Sequence, residues 1–242
     1  RILSANKEPL WINIILYLQD NIDTVNIILD GSEYANDINE IQKPVDTENF
    51  TNIVCINKET TCSLFEDKVN ICFRDRNYRN CSYLFRYLHE DQWVIKQGVV
   101  DVVYWNIGIG DCTYLFGEDE PHTPIEIYKY YIERCCLRFK KFYPHAKIIF
   151  ATSTSVCPEL VPSECKCENK DIEEYNAAAV EIVKKHGFEV HDLYLVTKQL
   201  PKEAYSDFMH FDTKLGREAV VNAVVSALSQ ALEIDETPKY QE

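Results

Sequence analysis

The chain has 242 residues, 46% hydrophobic and 26% charged, with seven glycines and nine prolines. That is enough apolar chain to bury a sizeable core and too few breakers for a low-complexity or disordered polypeptide. A formal charge of -14 leaves no basic stripe to neutralise phosphates, which argues against nucleic acid and against an anionic membrane surface.

Taken in chain order, the pattern alternates strands and helices, the signature of a mostly parallel sheet. Residues 1–6 read as a short strand. Residues 9–21 read as a helix, with Pro9 in its first turn and Leu10, Ile14 and Leu18 on one face. Residues 25–29 read as a strand ending at Asp30-Gly31-Ser32. Residues 52–56 and 69–73 read as strands, and residues 81–90 as a helix. A continuous apolar run over 99–105 predicts a buried strand. A long helix over 124–142, a buried strand over 146–151 and a helix over 171–186 follow. Gly187 supplies the turn past that last helix. A strand begins at 188–190, and the final helix spans 213–232. The longest apolar stretch, residues 10–18, is interrupted by Asn13 and followed by Gln19 and Asp20, so no membrane span is expected.

Ten cysteines are many for a chain of this size, and several sit inside apolar runs, where they read as small buried hydrophobes. A reducing, cytoplasmic compartment is the expectation. The chain starts at Arg1, which leaves room for a processed leader. Cys157, Cys165 and Cys167 cluster in one loop but lack a CxxC pair and a fourth ligand at usual spacing, so no metal is expected. No GxGxxG follows the first strand, where Lys7-Glu8-Pro9 stand instead, so a dinucleotide site is not expected either.

One constellation carries chemistry. Asp207 and His210 are three apart in Asp207-Phe208-Met209-His210, on a loop entering the last helix. That spacing can set a carboxylate against an imidazole, fixing its tautomer while the ring takes a proton from a nucleophile. The stretch DFMHFDTKLGREAVVNAVVSAL from Asp207 onward reads DxxHF, a glycine, then an apolar helix. It resembles the final block of the SGNH (GDSL-type) hydrolases. Upstream, DVVYWNIGIGD (101–111) resembles their third block, KIIFATSTSV (147–156) the strand and loop after it, and Asn77-Tyr78-Arg79-Asn80 their second block.

The resemblance covers roughly residues 69 to 232 in order. It implies a three-layer α/β/α, flavodoxin-like fold and serine ester hydrolysis without metal or organic cofactor. The substrate it implies is an O-acylated carbohydrate or similar small ester.

Two departures matter. At the GxND position of the third block stands Gly108-Ile109-Gly110-Asp111, with Gly110 in place of the asparagine that donates to the oxyanion. Asn106 or backbone N–H groups beside Gly108 would donate instead. The GDS nucleophile is also absent. Ser32, in Asp30-Gly31-Ser32, is the preferred substitute; if the first strand is 52–56, then Thr60, Thr61 or Ser63 takes its place.

Residues 1–60 are then either part of the hydrolase sheet or a separate βαβ addition to a core of residues 61–242. Arg79 and Asn80 are read as substrate contacts or as a helix cap before Cys81. His89, His122, His145, His186 and His191 are read as structural. The rival to the enzyme is a catalytically degenerate SGNH-like domain that binds a glycan or protein. The oligomeric state is left open.

Overall fold

A computed structural model describes residues 12–17, 69–73, 79–94 and 100–232. Among the described residues the main sheet has five strands: β1 (Ile12–Tyr17), β2 (Val69–Phe73), β3 (Val102–Asn106), β5 (Lys147–Ala151) and β7 (Glu189–His191). Their spatial order is β2-β1-β3-β5-β7, and every pairing is parallel. A second, two-stranded sheet pairs β4 (Tyr114–Leu115) antiparallel with β6 (Cys165–Lys166).

The helices are α1 (Cys81–Val94), α2 (Ile109–Cys112), α3 (Ile125–Phe142), α4 (Asn169–Lys185), α5 (Leu193–Thr197) and α6 (Lys214–Ala231).

The inner strands alternate between two cores, as the two-residue period of a strand requires. Val102, Tyr104, Ile149 and Ala151 pack on one face with Val220, Val221, Val224, Val225 and Leu228 of α6. Val103, Trp105, Ile148 and Phe150 pack on the other with α1, α3 and α4, through Leu84, Ile132, Phe139 and Ala179. A sheet covered on both faces has no polar side, which is why β3 reads as a continuous apolar run. The result is three layers, α/β/α.

The strands and helices expected from residue 69 onward are present with ends moved by a few residues. At the end of α4, Gly187 adopts φ +76°. Its N–H donates to Lys184 O at 2.9 Å and that of Phe188 to Val183 O at 3.1 Å. This pair of bonds is the Schellman arrangement that ends a helix on a left-handed residue.

The N-terminal expectation is corrected. Residues 9–21 were expected as a helix, but Ile12–Tyr17 form a strand held on both edges, by β2 and by β3. Leu10, Ile14 and Leu18 do share a helical face. The run Ile12-Asn13-Ile14-Ile15-Leu16-Tyr17 is nevertheless rich in β-branched residues and suits a central strand. A strand of the segment set apart as residues 1–60 therefore lies inside the sheet. The strands expected at 1–6, 25–29 and 52–56 lie outside the described residues.

Candidate active site

Strand order reverses between β1 and β3: β2 lies to one side, β5 and β7 to the other. In open parallel sheets, ligands bind in the crevice outside the carboxyl ends of the strands at such a reversal. Asn106 ends β3 and Gly108 opens α2 at this edge. The loop carrying Asp207 and His210 is tied to the same edge through the segment after β5. Cys157 N–H donates to Phe208 O at 2.7 Å, and the Ser155 and Tyr205 hydroxyls share a hydrogen bond of 2.7 Å.

Local chemistry shapes that loop. The Asp207 carboxylate accepts from the backbone N–H groups of Met209 and His210, each at 2.9 Å. An aspartate accepting from the backbone two and three residues on makes its own tight turn. Ser206 N–H donates to His210 O at 2.8 Å, and the Tyr205 and Phe211 rings pack with centroids 4.5 Å apart.

The turn brings the second carboxylate oxygen of Asp207 onto Nδ1 of His210 in a hydrogen bond. With Asp207 accepting from Nδ1–H, the Nε2 nitrogen carries the lone pair and takes the proton. Partial burial raises the Asp207 pKa, but the hydrogen bonds and charge of His210 and the Met209 amide outweigh it, and the net shift is downward. The carboxylate stays ionised beside the ring. The His210 side chain is 25% exposed and that of Asp207 48%, so the pair is accessible to a reactant.

The other expected site residues fall differently. Asn106 is 1% exposed; its amide donates to Ala151 O at 3.4 Å and Thr152 O at 3.3 Å, while its own oxygen has no partner. These contacts of the amide brace the ends of β3 and β5.

Gly108 has φ +150°, and a Cβ there would lie 2.6 Å from Ser153 Oγ and 3.1 Å from the Tyr128 hydroxyl. Only glycine fits that approach.

Asn80 caps α1, its side-chain oxygen accepting from Tyr83 N–H at 3.0 Å and Ser82 Oγ at 2.8 Å. Its amide meets His122 Nε2 at 3.1 Å. Arg79 beside it is exposed. Ser32, Thr60, Thr61 and Ser63 lie outside the described residues.

Two features escaped the sequence. Asp111 is 0% exposed and accepts from Cys81 N–H at 3.0 and 3.2 Å, which anchors the start of α1. Burial pushes its pKa up to about 6, against the lowering effect of hydrogen bonds from Cys81 and Thr123. The run Thr152-Ser153-Thr154-Ser155 after β5 is wholly buried. Ser155 N–H donates to Thr197 Oγ1 at 2.9 Å, Asn176 grips Ser153 through both main-chain groups at 2.8 and 3.0 Å, and Ser153 Oγ has no partner. Four consecutive hydroxyl residues after a buried strand were the available signal.

A cavity of about 370 Å³ lined by Lys140, Tyr143, Lys147, His186 and Phe188 opens at the opposite, amino edge of β5 and β7, away from this chemistry. Among the described residues, no group of three or more His, Cys, Asp or Glu side chains could hold a metal ion. Likewise, no described helix is long and apolar enough to cross a membrane.

No protein-family model and no curated protein matches the sequence significantly. Solved structures do resemble the chain. An acetyl xylan esterase superposes with a TM-score of 0.60 at 13% identity, over 90% of this chain and 100% of that one. A lipase/acylhydrolase from Enterococcus faecalis gives 0.59 at 15% identity, over 90% and 96%. A GDSL-like lipase from Bacteroides thetaiotaomicron gives 0.55 at 14% identity, over 90% and 88%.

The fold is that of the SGNH hydrolases. Within the main sheet β1 is an inner strand, between β2 and β3.

Proposed function

We propose that the protein is an SGNH-type ester hydrolase in which His210 is the general base and Asp207 orients it. The observation that carries this reading is the Asp207–His210 pair itself. The ring is held through Nδ1 by an ionised carboxylate, partly exposed, at the carboxyl edge of the sheet. Nε2 would deprotonate a hydroxyl nucleophile, the oxygen would attack an ester carbonyl, and water would release the acyl group by the same route. Ser32 is the proposed nucleophile, since Leu18-Gln19-Asp20-Asn21 after β1 contains no hydroxyl and Ser32 is the first serine beyond it. With the Asn106 amide engaged by carbonyls, oxyanion stabilisation falls to the backbone about Gly108. Arg79 and Asn80 would line the substrate side, with Asn80 also serving as the cap of α1. The proposed substrate is an O-acylated carbohydrate or a similar small ester; an acetyl xylan esterase and two lipases share the fold.

A second reading, a degenerate SGNH domain that binds a glycan or protein, draws on two observations. No serine directly follows β1, and Asn106 is turned to the protein interior.

Labelling with a serine-reactive fluorophosphonate and peptide mapping separates the two. Label on Ser32 that is lost in His210→Ala supports the hydrolase. Absence of label together with absence of turnover on acetylated oligosaccharides supports the binding domain. For the hydrolase, Asp207→Asn lowers kcat/KM by roughly 10³-fold, because the ring loses the partner that sets its tautomer. Unchanged turnover in that variant would remove the mechanism.

A further inference from the structure

The two-stranded sheet grows from the carboxyl edge of the main one. β4 follows α2, which opens at Gly108 beyond the end of β3, and β6 follows the segment that leaves β5. In a parallel sheet both connections fall on the side where ligands bind. Two contacts tie them to the candidate site. Cys157, on the way to β6, donates its N–H to Phe208 O beside Asp207, and His122, at the far end of the loop after β4, meets Asn80 at 3.1 Å.

Phe116 stands at the tip of this small sheet. Glu118 N–H donates to Leu115 O at 3.0 Å, closing a tight turn whose central residues, Phe116 and Gly117, have φ +52° and +77°. Positive φ at both positions marks a type I′ turn, whose ordinary occupants are Asn-Gly or Gly-Gly. Gly117 suits its place. Phe116 does not, because in the left-handed region the Cβ of a bulky residue crowds the carbonyl oxygen. Its N–H donates to Glu164 O at 2.8 Å, which holds the turn against the segment before β6. The side chain is nevertheless 85% exposed, the most exposed large hydrophobic among the described residues. Neither backbone preference nor burial accounts for a phenylalanine here. A strained residue that its surroundings hold in place points to function.

We propose that Phe116 is a substrate-binding residue whose ring is the platform for a sugar unit of an O-acylated carbohydrate while the ester reaches His210. The ester half of this rests on the hydrolase reading, and the sugar half does not. A pyranose presents a face of C–H groups, which an aromatic face removes from water. Glu118, Asp119 and Glu120, next in the chain, are exposed, and their carboxylates accept from sugar hydroxyls. The same three charges repel an anionic lipid surface or an anionic polymer, which leaves a neutral glycan as the ligand.

The test compares the full chain with Phe116→Asn and Phe116→Trp. Titration calorimetry uses cello- and xylo-oligosaccharides, and turnover is measured on their acetylated forms and on p-nitrophenyl acetate, which carries no sugar. Asparagine suits the turn, so Phe116→Asn should melt no lower than the wild type. It should bind oligosaccharide roughly tenfold more weakly. The ratio of its kcat/KM on the acetylated oligosaccharides to that on p-nitrophenyl acetate should fall by about as much. Phe116→Trp keeps an aromatic face and should retain binding. Sugar binding that Phe116→Asn weakens, in a protein that turns over neither ester, would support the platform and remove the hydrolase reading alone. Oligosaccharide binding equal in wild type and Phe116→Asn, or absent from the wild type, would overturn the proposal. So would Phe116-dependent binding of phosphatidylcholine vesicles in place of sugars, or a Tm lowered in Phe116→Asn, the mark of a structural residue.

Discussion

Two carboxyl groups of this protein sit in opposite electrostatic settings. Asp207 accepts three hydrogen bonds, from His210 Nδ1 and from two backbone amides, so its pKa lies below the ordinary value although partial burial opposes it. Its stabilisation is present above the unfolded pKa and is lost as pH falls through the folded one. Asp111 is sealed in, and burial lifts it from 3.8 to about 6. In the window between those values the folded state binds more protons than the unfolded state, so stability falls as pH rises through it. Asp111→Asn removes that slope. Urea denaturation across pH 3.5 to 7 should show the wild type losing up to about 3 kcal/mol relative to the variant as pH rises. Parallel curves would mean that Asp111 does not hold its proton in the fold.

At the scale of elements, α6 is placed by a close approach as much as by its apolar stripe. A Cβ at Gly216 would lie 2.1 Å from Ala204 O and 3.0 Å from Phe211 Cβ. Thr213 caps the helix, accepting from Gly216 N–H at 3.1 Å while donating to Ala204 O at 2.9 Å. Gly216→Ala must therefore push α6 from the loop that carries His210. A loss of about 2–3 kcal/mol is expected from chemical denaturation, with a parallel drop in any ester turnover. Asn80→Ala removes the cap of α1 and should cost about 1 kcal/mol. Thermal melts of the variant check this, and an unchanged Tm would mean that the cap bonds add nothing. The Asn80–His122 contact joins two segments 42 positions apart, which is why only the capping half of its role could be anticipated from the sequence.

At the scale of the whole molecule, stability rests on a sheet buried on both faces. Phe150 is 0% exposed and meets the Trp105 ring at 4.7 Å, while Trp105 meets Phe139 at 4.9 Å. Phe150→Ala leaves a cavity in the middle of the α3-side core and should cost about 3–5 kcal/mol, measured as a shift in urea midpoint at constant slope.

From residue 69 onward the elements were legible because their signals are local or strongly patterned. Continuous apolar runs mark β3 and β5, Gly187 marks the end of α4, and the i, i+1, i+4 spacing of Val220, Val221 and Val224 marks the buried face of α6. The Asp207–His210 pair was legible for the same reason, since both partners lie within one turn of chain whose geometry Asp207 itself sets.

Tertiary structure alone decided the rest. Ile12–Tyr17 has a helical face and a strand composition, and pairing with β2 and β3 settled the choice. The Asn106 amide met the carbonyls of Ala151 and Thr152 only when β5 paired with β3. Asp111 was closed off from solvent only when its helix packed against the start of α1, 30 positions away. Each of these depends on a partner far away in the chain, and spacing within a sequence carries no record of such encounters.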